Sequence, residues 1–366
     1  MPPGFKLMRC ALSLAALLLA SHAQGAQLLV LEKGSNTLAI IDPHTLQVIA
    51  RVPAGPDPHE VVASADGSRA YISNYGGEGG DLNFISVVDL QACKPLPPID
   101  LGALHSAHGL DFRGGKLYFT AETNKVIGRY DPVAHRVDWV LGTGQDRTHM
   151  IIVGKDLEHL YTSNVSSGTI SIIAARMRNP GPPPDAAGRA AAPPAPPPGF
   201  GPPKLWEVTN VPAGRGSEGF DLSADEQQIW AANAQDGTIT TIDLASRRAL
   251  ETFPVAVRGA NRLKFTLDGR YVLVTGLGAF GPVPDPGANS LVVLDRTSHQ
   301  LLKAFQLGGG AAGILMDPAG GRAFVAVNQA DKVEVIDLNT WRPVASIPTQ
   351  KPDGMAWAQT GTLTSP

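Results

Sequence analysis

Cysteine is nearly absent: Cys10 and Cys93 are the only two in 366 residues. Cys10 lies in an N-terminal segment with the marks of an export signal, so Cys93 would be alone in a mature chain. One thiol forms no internal disulfide and no Cys-rich metal site, so stability has to come from an apolar core. Charge imbalance is also lacking. Thirty Lys and Arg face 33 Asp and Glu, a net charge of −3, which excludes a globally basic nucleic-acid binder while leaving a local patch open. Long apolar runs are missing as well. The longest, Ala11 to Ala20, is shorter than the roughly 20 residues of a membrane span. It follows Lys6 and Arg9 and precedes Ser21-His22-Ala23, an order that predicts a signal peptide over residues 1–23, cleaved after Ala23. Arg9 stands before Cys10, where a lipoprotein site would need a small residue. No nucleophile elbow, Walker loop, Rossmann fingerprint or haem-attachment Cys-x-x-Cys-His is present. Gly308-Gly309-Gly310 reads as a turn. Trp230 and Trp357 sit in strand patterns and read as core, not as a base-stacking row.

What the sequence has is repetition. The strands Ala70-Tyr71-Ile72-Ser73-Asn74, Leu160-Tyr161-Thr162-Ser163-Asn164, Ile229-Trp230-Ala231-Ala232-Asn233 and Phe324-Val325-Ala326-Val327-Asn328 echo one another with period-two alternation. A third strand in each copy ends on a shared mark: Ile41-Asp42-Pro43, Val88-Asp89-Leu90, Tyr130-Asp131-Pro132, Ile242-Asp243-Leu244, Leu294-Asp295-Arg296 and Ile336-Asp337-Leu338, with a degenerate copy at Ile173-Ala174-Ala175. The Asp side chain can bond the backbone just beyond it and start a tight turn. Those seven copies, most about 42–47 residues apart, have the period of a propeller with four strands per blade. The forty glycines and 31 prolines suit many short strands and turns.

Tyr71-Ile72-Ser73-Asn74 and Tyr161-Thr162-Ser163-Asn164 resemble the Tyr-Val-Thr-Asn repeat of the YVTN β-propellers, and the chain resembles the YncE-type periplasmic proteins among them. The resemblance covers nearly all of residues 24–366. It implies an all-β, seven-bladed propeller of four antiparallel strands per blade, exported to the periplasm or secreted. Function stays open, because this fold hosts binders, lyases, lactonases and oxidoreductases. Gln27–Leu31 reads as a second strand and Gly354–Ala358 as an orphan first strand, so one blade is expected to be completed from both chain ends, removing a free edge.

Three copies are over-long. Arg176 to Pro203 is Pro- and Ala-rich and reads as a loop after a third strand, either a plain insertion or a partner-docking arm. Tyr75–Leu82 and Leu277–Asn289 lie between second and third strands, which puts both on the opposite face from the first. On that shared face, the residue entering each innermost strand reads His59, His108, His149, Glu218, Asn261, Ala312, Asp353 around the ring. Converging imidazoles and a carboxylate can hold Zn, Cu, Fe or Mn, so His59, His108, His149 and Glu218 form the candidate metal set. One of the histidines could equally act as a general acid or base, and a solvated channel mouth also tolerates polar residues at equivalent positions. Arg147, Arg215, Arg258 and Lys351 lie just upstream; with Asn261 and Asp353 they form the candidate ligand-binding set. Positive charge there favours an anion: a carboxylate, a phosphate or a single-stranded nucleic acid.

Three functions fit these residues. One is an exported binding or scaffold protein, expected as a monomer, that holds an anionic ligand or a periplasmic protein. Another is a metal-assisted lyase or lactonase, or a redox enzyme, using the ring. The third is an accessory propeller of a periplasmic quinoprotein or cytochrome system. A divalent metal ion is the one cofactor suggested.

Overall fold

A computed structural model describes residues 25–76, 80–177, 204–278 and 288–359. The signal-like segment 1–23 and residues 178–203 of the Pro-rich insertion lie outside the described residues. The described residues form 28 strands in seven four-stranded antiparallel sheets. A short 3-10 turn at Asn328–Ala330 is their one helical element. The chain therefore has the seven-bladed propeller architecture that its repeat implies.

One blade is composite, as its half-repeats at the two chain ends require. β28 (Pro352–Ala358) pairs with β1 (Gln27–Glu32), which continues through β2 (Thr37–Ile41) to β3 (Val48–Pro53). The other innermost strands are β4 (Pro58–Ala63), β8 (Ala107–Arg113), β12 (Thr148–Val153), β16 (Ser217–Leu222), β20 (Ala260–Phe265) and β24 (Ile314–Met316). Each touches the next around the axis, and β28 touches β4 to close the ring.

Second and third strands read as near-continuous apolar runs because both faces of a blade are covered by neighbours. β1 is buried at every residue. Seven apolar clusters result, one for each inter-blade interface. Trp230 and Ile239 of one blade meet Leu263, Phe265 and Val272 of the next, and Leu28 and Ile41 meet Phe324 and Val335 across the closure. Outermost strands are exposed, as Arg248–Pro254 shows.

The recurrent Asp acts as its chemistry predicts. Asp42 Oδ1 accepts from His44 N at 2.8 Å, Asp89 Oδ1 from Ala92 N at 2.8 Å and Asp337 Oδ1 from Thr340 N at 2.7 Å. Backbone donors hold the Asp42 and Asp337 carboxyls below their ordinary range. β14 (Thr169–Met177) and β15 (Lys204–Pro212) pair along their whole length, up to Met177 opposite Lys204. The ladder thus takes in Arg176, which was expected in the insertion, and Arg176 forms an ion pair with Glu207.

Candidate functional site at the channel mouth

Six of the seven innermost strands, all but β24, start with a bulge, and the bulge builds the site. In β12 the ladder to β13 (His159–Asn164) slips between Thr148, opposite Asn164, and Ile151, opposite Thr162, so His149 and Met150 together face Ser163. β4, β8 and β16 slip in the same way at His59, His108 and Glu218. A bulge leaves its extra residue unpaired and re-aims the side chain. The third letter of the Tyr-x-Ser/Thr-Asn motif stabilises it. The hydroxyls of Ser73, Thr120 and Ser163 accept from Glu60 N (3.0 Å), Gly109 N (2.9 Å) and Met150 N (3.2 Å). Thr120 also donates to the His149 carbonyl at 2.6 Å, and Ser163 to that of Glu218, which fixes each ring residue against its neighbour.

Glycine lets those strands come close. A Cβ on Gly109 would lie 2.4 Å from the His149 carbonyl oxygen, and one on Gly354 would lie 2.4 Å from that of His59. Where Gly is not needed, the same position carries Glu60, Met150 or Arg262.

His59, His108, His149, Glu218, Asn261, Ala312 and Asp353 all line one cavity of ≈ 330 Å³. The rings of His108 and His149 are 3.7 Å apart by centroid, and those of His59 and His108 are 4.9 Å apart. His108 and His149 are 2% and 3% exposed, so they are core side chains with a polar edge. His149 Nε2 lies 3.7 Å from Glu218 Oε2. Asn261 is buried and donates to the Ala312 carbonyl at 3.1 Å, a bond within the scaffold.

A second tier was not expected from the sequence. It consists of the residue immediately after each second strand: Lys33 after β1, Tyr75 after β5 (Arg69–Asn74) and Glu122 after β9 (Lys116–Ala121), then Val165, Ala234, Leu277 and Asn328. A shared backbone bond sets its height: Tyr75 N donates to Asp57 O, Glu122 N to Ser106 O and Val165 N to Arg147 O. The polar members stand over the histidines. Glu122 is bonded to His149 Nδ1 through one carboxylate oxygen, while the other accepts from the Tyr75 hydroxyl at 2.6 Å and from Arg147 Nε at 3.3 Å. Burial opposes ionisation of Glu122, but the bonds from His149 and Tyr75 and the charge of Arg147 outweigh it and hold the carboxyl below its ordinary value. Burial and Glu122 push the Tyr75 phenol up. Burial also holds His108 well below its ordinary value, helped by the neighbouring His149, His59, Arg262 and Lys33.

One donor atom from each of His108, Glu122 and His149 lies within 4.8 Å of the others. Glu122 is thus a carboxylate that sequence reasoning missed beside the predicted Glu218. His59 is engaged differently. Lys33 Nζ lies 2.6 Å from its Nε2 and 3.3 Å from Nδ1, and Asp57 and Asp353 flank both Lys33 and His59, with Asp57 Oδ1 3.3 Å from the same Nε2.

The basic rim needs correction. Arg147 and Lys351 line the cavity, but Arg215 and Arg258 do not. Arg215 turns outward, 78% exposed, and pairs with Asp236 at 2.7 Å. Arg258 lies in a separate depression with Val255, Asn289 and Gln306. The cause is a one-residue offset at the left-handed turn before each ring residue. Arg147 and Lys351 occupy that turn themselves, at φ 53° and 47°. In the other two blades Gly216 and Gly259 occupy it, at φ 71° and 61°, which leaves each Arg one residue earlier.

The cavity floor is a cross-channel ion pair. Arg262 from β20 reaches Glu60 of β4 at 2.7 Å and approaches Glu218 at 3.6 Å. Burial opposes its charge, but Glu60, Glu218 and Asp353 outweigh that, so the guanidinium is held above its ordinary value.

No family model matches the chain. The uncharacterized protein YncE of Salmonella typhimurium is 28% identical over 151 residues, which is 40% of this chain and 40% of that protein. The Salmonella typhi YncE matches to the same extent. The fold is a seven-bladed β-propeller, and over those 151 residues the chain is similar to YncE. Solved structures agree on the fold. The Pseudomonas aeruginosa periplasmic gluconolactonase PpgL superposes with a TM-score of 0.67 at 16% identity, over 92% of this chain and 100% of that one. A functionally unknown protein from Desulfotomaculum acetoxidans gives 0.68 at 12% identity, over 92% and 99%. The Kuenenia stuttgartiensis hydrazine synthase gives 0.61 at 18% identity, over 80% and 87%. The chain has no helix among its described residues long and apolar enough to cross a membrane.

Proposed function

We propose that this YncE-like propeller is a binding protein whose channel mouth holds a divalent transition-metal ion and presents it to a small anionic ligand. The observation that carries the reading is a pair of buried imidazole nitrogens, His108 Nδ1 and His149 Nε2, with no hydrogen-bond partner among the described residues. Leaving a buried polar atom unsatisfied costs about 1–3 kcal/mol each, and a shared metal ion would satisfy both lone pairs. Glu122 engages His149 Nδ1, which leaves Nε2 as the ligating atom and makes Glu122 the orienting carboxylate of a carboxylate–histidine–metal triad. Glu218 Oε2 lies 3.7 Å from that Nε2 and would supply an oxygen on turning towards the ion, since it is outside the converging group of His108, Glu122 and His149. Depression of the His108 pKa keeps this imidazole neutral, the form a metal binds. Arg147 and Lys351 at the rim supply positive charge for an anion on the open side. Export to the periplasm belongs to the same proposal and rests on the signal-like segment at residues 1–23.

Metal analysis of protein purified without a His-tag tests this reading. Stoichiometric Zn, Cu, Mn or Fe is expected, with thermal stabilisation when that metal is returned to stripped protein. His149→Ala should abolish the stabilisation, and Glu122→Gln should weaken affinity roughly 10–100-fold, as loss of an orienting carboxylate does. His44, exposed in an Asp42 turn, serves as the silent control. No bound metal and no stabilisation by any of the four would sink the metal reading. The Glu122–His149 contact would then favour a second one, a general base oriented by a carboxylate for lactone opening or a related elimination. Lactone hydrolysis by metal-free protein, lost in His149→Ala, would select it.

A further inference from the structure

Beyond the Arg262–Glu60 bridge the channel holds a second compartment, of ≈ 420 Å³, towards the opposite face. Its size falls within the roughly 300–1,000 Å³ of small-molecule sites. Met150, Ile152, Leu222, Leu315 and Met355 line it. All five are only half-buried, so they keep apolar surface towards the cavity.

Most of its charges are already committed. Asp111 accepts from Val153 N at 2.8 Å, and Asp221 accepts from Phe265 N at 3.0 Å and from Lys264 Nζ at 2.9 Å. Lys155 pairs with Glu226 at 3.2 Å. Arg113 differs. Its Nε is buried without a hydrogen-bond partner among the described residues, and its guanidinium makes no ion pair there. Arg113 feels the charge of Asp111, whose carboxyl burial holds above its ordinary value against the opposing Val153 bond and Arg113 charge, but the two form no ion pair.

We propose that this far-face compartment binds a small amphipathic carboxylate, its headgroup on Arg113 and its apolar body along Met150, Ile152, Leu315 and Met355. A guanidinium takes a carboxylate through two parallel N–H donors, and the half-buried apolar wall gains from covering the chain. The site is separate from the mouth and does not depend on a metal there.

Calorimetric titration of the full chain with octanoate and phenylacetate tests it, with octanamide as the uncharged counterpart. Saturable carboxylate binding is expected, with octanamide weaker by roughly tenfold or more. Arg113→Met should weaken octanoate binding to the same degree, and Arg113→Lys should restore part of it. His149→Ala, at the mouth, should leave the affinity unchanged. Leu315→Glu puts a like charge in the cavity and should abolish binding without touching Arg113. The proposal is overturned by any of three results: no saturable binding, octanamide binding as tightly as octanoate, or octanoate affinity lost in His149→Ala but kept in Leu315→Glu.

Discussion

A buried histidine with a depressed pKa ties the site to the stability of the fold. His108 sits between His59 and His149 and is shut off from solvent. An unfolded histidine takes up a proton near pH 6.5, whereas the folded His108 resists doing so. Below that pH the unfolded state binds more protons than the native one, so stability falls with falling pH until the folded pKa is reached. Metal-free protein should therefore lose unfolding free energy between pH 6.5 and lower values, with a limiting slope of about 1.4 kcal/mol per pH unit from this one residue. Denaturant melts across that window should show a shallower slope for His108→Gln. Equal slopes would mean that His108 takes up its proton equally in the folded and unfolded states, so that burial does not depress it.

At the scale of elements, the terminal Asn of the repeat motif is an inter-strand clamp. Asn74 Nδ2 donates to Ala54 O at 3.0 Å and Pro56 O at 2.8 Å, and its Oδ1 accepts from Ser86 N at 3.1 Å. It therefore joins the turn that enters one innermost strand to the blade's third strand. Asn74→Ala should cost about 2–3 kcal/mol, because buried groups lose partners that water cannot replace. Chemical denaturation reads this directly, and a change under 0.5 kcal/mol, the usual scatter of surface substitutions, would refute the clamp. The hairpin β14–β15 makes the opposite prediction. Its ladder is complete up to Met177 opposite Lys204, so replacing residues 178–203 with Asn-Gly should leave the melting temperature nearly unchanged. A fall of more than about 5 °C would mean that the replaced residues pack on the domain.

These elements also show why some features were legible in the sequence and others were not. Strands and Asp turns repeat a local pattern, and local patterns are written in order along the chain. The first tier was legible because each ring residue precedes an apolar strand start. The second tier was not, because Lys33, Tyr75 and Glu122 each follow a strand and read as ordinary loop residues until all blades are superposed. The signal was present: each is the first residue after the repeat motif. Arg215 and Arg258 were misplaced because φ at the next glycine decides which residue faces inward, and charge patterning does not carry φ.

At the scale of the molecule, stability comes from closure more than from any single blade. All seven apolar clusters lie between blades, so no blade buries its own faces alone. The composite blade holds the ring shut: β28 pairs with β1 from Gln27 opposite Ala358 to Glu32 opposite Pro352. Removing residues 352–366 would uncover the edge of β1, strip Ala358 from one cluster and Met355 and Trp357 from another, and delete Asp353 from the mouth. That truncation should aggregate or melt far below the intact chain, since a long unpaired strand edge and two open clusters are exposed together. The same geometry predicts that chain order is dispensable. Gln27 and Ala358 lie on adjacent strands, about 5 Å apart, so a short Gly-Ser linker can join Gln359 to Gly25. New termini placed between Met177 and Lys204 then interrupt no strand pairing. Such a permutant should melt cooperatively within a few degrees of the natural order and, on the proposed function, bind metal at the mouth as tightly as the natural order does. If it fails to fold while the shortened-hairpin variant folds normally, assembly requires the natural order of the blades and closure alone does not explain the fold.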